Sequence, residues 1–152
     1  MSILSWLKAV SANGSSAEAI QSQTMQFADG EEQFHGLNMK NALDAHIEWS
    51  HRLEAQISKT ATEELEVGIV ASDDRCTLGK WLHSVARDEF GNLPEYEELK
   101  RIHAAFHLKA GEILNDVQNG ETENARALLK DLRRGSGEVQ LSLVRLYSKA
   151  AH

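Results

Sequence analysis

The chain has 152 residues, 41% of them hydrophobic and 26% charged, with a formal net charge of −7, a single proline and a single cysteine. This length suits one domain with one core, and an acidic balance without a dense Lys/Arg block excludes electrostatic attraction to a nucleic-acid backbone or an anionic bilayer. There is no run of about 18 apolar residues to span a membrane, and the N-terminus lacks the basic flank, apolar core and cleavage site of a signal peptide, so a cytoplasmic protein is expected.

So little proline permits long helices, and all-α is the expected class. Cys76 has no second cysteine to pair with, which fits a reducing compartment and leaves its thiol as buried filler, metal ligand or reactive group.

Residues 1–36 read as an N-terminal extension. Ile3, Leu4, Trp6, Leu7 and Val10 give it a short amphipathic turn or two, too short to stand alone and suited to docking on a partner. Ser11-Ala-Asn-Gly-Ser-Ser16 reads as a flexible linker, and the polar run from Ala17 to Phe34 as a loosely held helix or a disordered lead. The compact domain, residues 37–150, is expected to begin near Leu37 to Asn38, with Asn38 as helix N-cap. Leu43, His46, Ile47, Ser50, Leu53 and Ile57 then share one helical stripe, so His46 is directed inward. His51 falls off that stripe.

Thr60 to Asp74 reads as a connector with at most a short extended piece at Glu66-Val-Gly-Ile-Val70. After it, Leu78, Trp81, Leu82 and Val85 form the apolar face of a short helix with Cys76 at its N-terminal edge, where free backbone N–H groups favour a thiolate. Asp88 to Leu93 is a turn. Pro94 followed by Glu95, Glu97 and Glu98 is a helix-start signature, and that helix is expected to run to about Val117, where Asn119-Gly120 stops it. Its inner face comprises Tyr96, Leu99, Ile102, His103, Phe106, Ala110, Ile113, Leu114 and Val117, with His107 at the border. From Thr122 to Ala150 the stripe Leu128, Leu132, Gly135, Val139, Ser142/Leu143 and Leu146 keeps its phase across Gly135-Ser-Gly137. One long helix is expected, weakened there by two glycines at roughly 1 kcal/mol each.

His103 and His107, at i and i+4, rise from one helix face at a separation from which both can grip one metal ion. With seven histidines in 152 residues the pair alone is weak evidence, since one packed and one solvated histidine give the same spacing. His46 and Cys76 bring the inward-directed donors to four. Three imidazoles and a thiolate make a closed tetrahedral zinc set with no position for a catalytic water. No local ribbon motif builds it, so helix packing must assemble it.

Asp44-Ala-His46-Ile-Glu-Trp49, Cys76-Thr-Leu-Gly-Lys-Trp81-Leu and His103-Ala-Ala-Phe-His107 together resemble the chemoreceptor zinc-binding (CZB) domain family of bacterial chemoreceptors and diguanylate cyclases, over approximately residues 38–148. The resemblance implies a four-helix bundle, zinc held by His46, Cys76, His103 and His107, homodimerisation, and a role in chemotaxis or cyclic-di-GMP signalling. No chemoreceptor coil or cyclase domain accompanies the match, so a standalone member acting by contact on a chemoreceptor or diguanylate cyclase is expected.

Two switches follow from the chemistry. Zinc can join helices that otherwise separate, and oxidation of Cys76 to a sulfenic acid weakens one ligand. Asp73, Asp74 and His83 are candidates for the shell behind the ligands. His35, His51, His83 and His152 are expected at the surface, and Trp49 and Trp81 as core or interface aromatics. A structural zinc domain that tethers partners is the alternative. A zinc hydrolase is disfavoured, and no enzymatic activity is expected, because the His-x-x-x-His lacks the glutamate of His-Glu-x-x-His.

Overall fold

The structure is a computed structural model that describes residues 2–151, with side chains to residue 150. His152, expected at the surface, lies outside the described residues. In chain order the elements are α1 (Ile3–Ala12), α2 (Ala17–Ser22), a hairpin of β1 (Gln33–Phe34) and β2 (Leu37–Asn38), then α3 (Met39–Ser58), α4 (Val67–Val70), α5 (Thr77–Leu82), α6 (Val85–Phe90), α7 (Pro94–Gln118) and α8 (Thr122–Ala151). The protein is all-α apart from those two short strands. Three helices, α3, α7 and α8, are long. Between α3 and α7 the chain breaks into three short ones instead of adding a fourth rod.

Asn38 caps α3 as its sequence position implies, its Oδ1 accepting from the Asn41 N–H at 2.9 Å. The buried stripe of α3 is Met39, Ala42, Leu43, His46, Ser50, Leu53 and Ile57. Ile47, expected on that stripe, is 39% exposed, because the stripe is narrow and Ile47 is one 100° step beyond His46. Pro94 opens α7 at its first turn, and α7 and α8 enclose Leu99, Phe106, Ile113, Leu132, Val139, Leu143 and Leu146 in the main core.

The 60–74 segment departs from expectation. The Glu66-Val-Gly-Ile-Val70 stretch is a single helical turn, not an extended piece, closed by Val70 N–H to Glu66 O and Ala71 N–H to Val67 O at 3.0 and 2.9 Å. Its β-branched residues suggested extension, and packing on α7 overrides that propensity. A second departure follows α5. Ser84, at φ −134° and ψ −92°, breaks the helical phase, so Val85 is 41% exposed while Ala86 and Phe90 of α6 are buried.

The N-terminal extension is docked, not loose. Ser2 caps α1 and Ser16 caps α2, their hydroxyls accepting from Ser5 N–H at 3.2 Å and Ala19 N–H at 3.1 Å. Ser16, at the end of the stretch that read as a linker, is thus a helix start. Ile3, Trp6, Val10, Ala19 and Ile20 form a second apolar cluster with Leu141 and Val144 of α8. The face expected to meet a partner through Ile3 and Trp6 is therefore covered within the chain, while Leu4 and Leu7 stay half-buried. This explains why α8 is buried on two faces, one toward α3 and α7 and one toward α1 and α2. It also explains Gly137: a Cβ there would stand 3.1 Å from Ile20 Cγ2, so the glycine lets α2 approach, and α8 runs unbroken through Gly135-Ser-Gly137.

Candidate metal centre

His46 from α3, Cys76 from the start of α5, and His103 and His107 from α7 converge on one point, their donor atoms all lying within 4.8 Å of one another. Cys76 Sγ is 3.2 Å from His103 Nε2, 3.5 Å from His107 Nε2 and 3.9 Å from His46 Nε2, and the two α7 histidines meet Nε2 to Nε2 at 3.2 Å. A tetrahedron with ordinary zinc bond lengths has N···N edges of about 3.3 Å and S···N edges of about 3.6 Å. The three edges among Cys76, His103 and His107 already stand near those lengths, while His46 is set slightly back, 3.9 Å from the sulfur.

Main-chain groups aim these side chains. His46 Nδ1 faces its own helix's Ala42 carbonyl at 2.7 Å, and His107 Nδ1 faces the Val70 carbonyl of α4 at 3.1 Å. A carbonyl can only accept, so both rings carry their proton on Nδ1 and turn bare Nε2 lone pairs toward the common centre. His103 Nδ1 is buried and has no partner among the described residues. Cys76 is the N-cap of α5, with Sγ accepting from the Gly79 N–H at 3.3 Å. Gly79 is required by space as well: a Cβ there would collide with the Asp73 carbonyl, so the loop that brings in the sulfur can fold down only over glycine. Trp81 completes this element, its indole N–H donating to the His35 carbonyl at 2.9 Å.

All three histidines are almost fully buried. Burial pushes His46 down to about 4 and His103 to about 2, the latter also opposed by its neighbouring imidazoles, and it lowers His107 against the pull of the Val70 carbonyl. The rings are therefore neutral and able to coordinate at pH 7. Burial also raises the Cys76 thiol above its ordinary value, outweighing the N–H groups of Gly79 and Leu78 that favour the thiolate. The lowered thiol expected at a helix start is overturned by desolvation when no cation is beside it.

A surface cleft of about 380 Å³ reaches the cluster, with Cys76 and His107 in its lining alongside Trp49, Arg52, Ile69 and Arg75. Arg52 lies 4.0 Å over the Trp49 ring and pairs with Glu63 at 2.7 Å. Asp73 reaches His83 Nε2 at 3.4 Å; Asp74 is exposed. His35, His51 and His83 are exposed, as expected, and Trp81 is 6% exposed within the core.

Residues 46–114 match the model of the chemoreceptor zinc-binding domain family. This stretch is similar to a CZB domain. The match begins at His46 and contains all four donors, but it is narrower than the 38–148 suggested by the sequence, leaving α1, α2, the hairpin and α8 outside it. No curated protein and no solved structure matches the chain. The CZB domain is a regulatory zinc-binding domain, and its cofactor here is zinc, for which the His46, Cys76, His103 and His107 cluster is positioned. The donor set fits the ion in number, element and spacing. Among the described residues no helix is long and apolar enough to cross a membrane.

Sequence reading did not identify the Ala42, Val70 and Gly79 main-chain groups that orient the donors. Only Gly79, in the Cys-x-Leu-Gly element, left a visible trace.

Proposed function

We propose that His46, Cys76, His103 and His107 hold zinc in a closed site, and that the protein is a regulatory module, not an enzyme, responding to zinc supply or to oxidation of Cys76. The observation that carries this reading is the convergence of acceptors: His46 and His107, fixed by carbonyls as Nδ1–H tautomers, turn lone pairs toward a sulfur and a third imidazole at 3.2 to 3.9 Å. At most two protons, one on the sulfur and one on His103 Nε2, can be shared among these atoms, whereas a single cation engages all four. When bound, zinc joins three separate helices and keeps the sulfur as thiolate.

The redox branch is supported by the half-buried sulfur and the cleft that reaches it. With a peroxide as the two-electron oxidant, the Cys76 thiolate attacks the terminal oxygen, a sulfur–oxygen bond forms, the O–O bond breaks, and hydroxide or alkoxide leaves with the electron pair. With hypochlorous acid the sulfur takes up the electrophilic chlorine as hydroxide leaves with the O–Cl electron pair, and water then displaces chloride from sulfur with loss of a proton, giving the same sulfenic acid. The sulfenic acid that results is a poorer donor than the thiolate.

Asp73 and His83 are proposed to tune the sulfur from behind; Asp74 adds negative charge on the same loop. The output is proposed to pass by protein contact to chemotaxis or cyclic-di-GMP machinery, a chemoreceptor or a diguanylate cyclase, with the protein acting as a homodimer. A monomer in sedimentation at high concentration would remove the dimer.

The deciding experiment is metal analysis of the purified chain before and after stoichiometric oxidant, with thiol titration alongside. One zinc per chain, released as one thiol is lost, is the expected result. Zinc retained after the thiol has gone would leave only a structural zinc domain, and a chain that binds no zinc would end the proposal.

A further inference from the structure

Two of the histidines are oriented by carbonyls of different origin. Ala42, which accepts from His46, lies one turn back in the same helix and cannot move independently of it. Val70, which accepts from His107, belongs to α4, which α5 and α6 separate from α7 along the chain. Something must hold α4 against α7 for that contact to last.

α7 contains one glycine, Gly111, one turn beyond His107 on the same face. A glycine inside a helix costs about 1 kcal/mol relative to alanine. Here the space is used: a Cβ on Gly111 would stand 2.7 Å from Ala71 Cβ, 3.3 Å from Ala71 Cα and 3.5 Å from Ala71 N. Two of these three are backbone atoms next to Val70, in a turn stiffened by main-chain bonds and by the Ser72 hydroxyl donating to Gly68 O at 2.7 Å. No flexible side chain is available to give way.

We propose that α4 is a clamp that orients His107 through the Val70 carbonyl, and that Gly111 is the positioning residue that lets the clamp close. The proposal rests on the metal-site reading above and adds to it where zinc affinity is set. A methyl group at 111 forces α4 outward by the better part of 1 Å to reach ordinary contact at about 3.5–4.0 Å. A 3.1 Å hydrogen bond stretched by that amount is broken. His107 then loses the acceptor that fixes its tautomer and ring angle, while all four donors remain in the chain. Contacts of this kind behind a metal ligand are worth about 10–100-fold in affinity.

The test is zinc competition against a chromophoric chelator for the full chain, Gly111→Ala, Ala71→Gly and the double variant. Gly111→Ala is expected to lose about 10–100-fold, Ala71→Gly to stay near the parent, and the double variant to regain most of the loss because the colliding methyl group is gone. The cobalt(II) spectra should keep the thiolate charge-transfer band in every variant while the ligand-field bands shift in Gly111→Ala alone. Should Gly111→Ala fail to fold, Ala71→Val presses on the same contact from the α4 side and is expected to weaken zinc comparably. Unchanged affinity in Gly111→Ala, or a double variant as weak as Gly111→Ala, overturns the clamp while leaving the zinc site standing. A parent chain that binds no zinc overturns both.

Discussion

The metal centre and the N-terminal layer are held together in opposite ways. Around His46, Cys76, His103 and His107, four donors from three helices converge on one point and are positioned for a metal ion that the chain itself does not contain. Around Ile3, Trp6, Val10 and Ile20, the layer is joined to α8 chiefly by apolar contact, with Arg145 of α8 donating to Ser15 Oγ at 3.2 Å, and is tied internally by Trp6 Nε1–H donating to Gln23 O at 3.1 Å and Ile3 N–H to Glu31 Oε1 at 2.6 Å. One region depends on solution conditions; the other carries its stability within its own sequence. A regulatory protein needs both, because a change at the first is readable only against a frame that does not change with it.

The largest effect that separates the regions is loss of the metal. A ligand at a thousandfold excess over its dissociation constant stabilises the folded state by ~4 kcal/mol, so excess zinc should raise the thermal midpoint and chelator should return it. Cys76→Ser should abolish that difference and weaken zinc by at least the ~10–100-fold that orienting contacts are worth, since a hydroxyl is a poorer zinc donor than a thiolate. The exposed His51→Ala should leave zinc content unchanged. If the two variants behave alike, the donor assignment is wrong.

Next in size is a change confined to the other region. Trp6 is 3% exposed in the second cluster, and Trp6→Ala should cost ~3 kcal/mol, the low end for such truncations because α1 can detach locally. Amide exchange should quicken through residues 3–22 while zinc affinity stays at the parent value. A parallel fall in zinc affinity would mean that the two regions form one cooperative unit.

Between pH 7 and 5, acid should act chiefly on the metal centre. His46 and His103 are lowered from 6.5, to about 4 and about 2, chiefly by burial, so on acidification the unfolded chain takes up protons before the folded one. Their contribution to the stability of the zinc-free protein is therefore complete above pH 6.5. It is lost as pH falls from 6.5 toward 4 for His46, and on toward 2 for His103, at up to ~1.4 kcal/mol per pH unit for each histidine. Residues 3–22 contain no histidine, and their exchange, corrected for its intrinsic rate, should not follow that slope. Urea midpoints measured in chelator from pH 7 to 5 check this, and a flat profile would mean that the histidines are not buried.

How much of this was legible in the sequence follows the same division. The donors could be found because helix period fixes direction: His46 shares a stripe with Leu43, Ser50 and Leu53, and four residues separate His103 from His107. Asn38, Pro94 and Asn119-Gly120 marked helix ends through local chemistry that survives folding. What period cannot register is contact between segments far apart in sequence. Ser11 to Ser16 has the composition of a linker, and only the distant Leu141 and Val144 make its surroundings a docked layer. The α4 turn has β-branched residues and a glycine, and its helical form is set by Val70 and Ala71 packing on His107 and Gly111, about 40 positions on. The glycines at 111 and 137 carried the information, as gaps in a helix that another element fills, but a gap does not name its occupant.

The smallest effect examines a hydrogen bond between the hairpin and the helix that carries Cys76. Trp81 belongs to the helix that starts at Cys76, and its indole N–H donates to the carbonyl of His35 in the hairpin loop. There His35 and Gly36 take φ of 47° and 85°, as two-residue hairpin loops require. Trp81→Phe keeps an aromatic ring against Phe34 and Phe90, whose centroids lie 5.4 and 6.3 Å away, and removes the donor. A neutral hydrogen bond is worth ~1 kcal/mol net, so a loss of that size is expected, with faster exchange in residues 33–38. Zinc affinity reads the coupling. If the hairpin only rests on α5, affinity stays within about threefold of the parent, because less than ~1 kcal/mol reaches the sulfur. A larger drop would mean that the hairpin, outside the family match, helps hold Cys76 in place, and removal of zinc should then loosen residues 33–38 in return, since coupling between two sites is reciprocal.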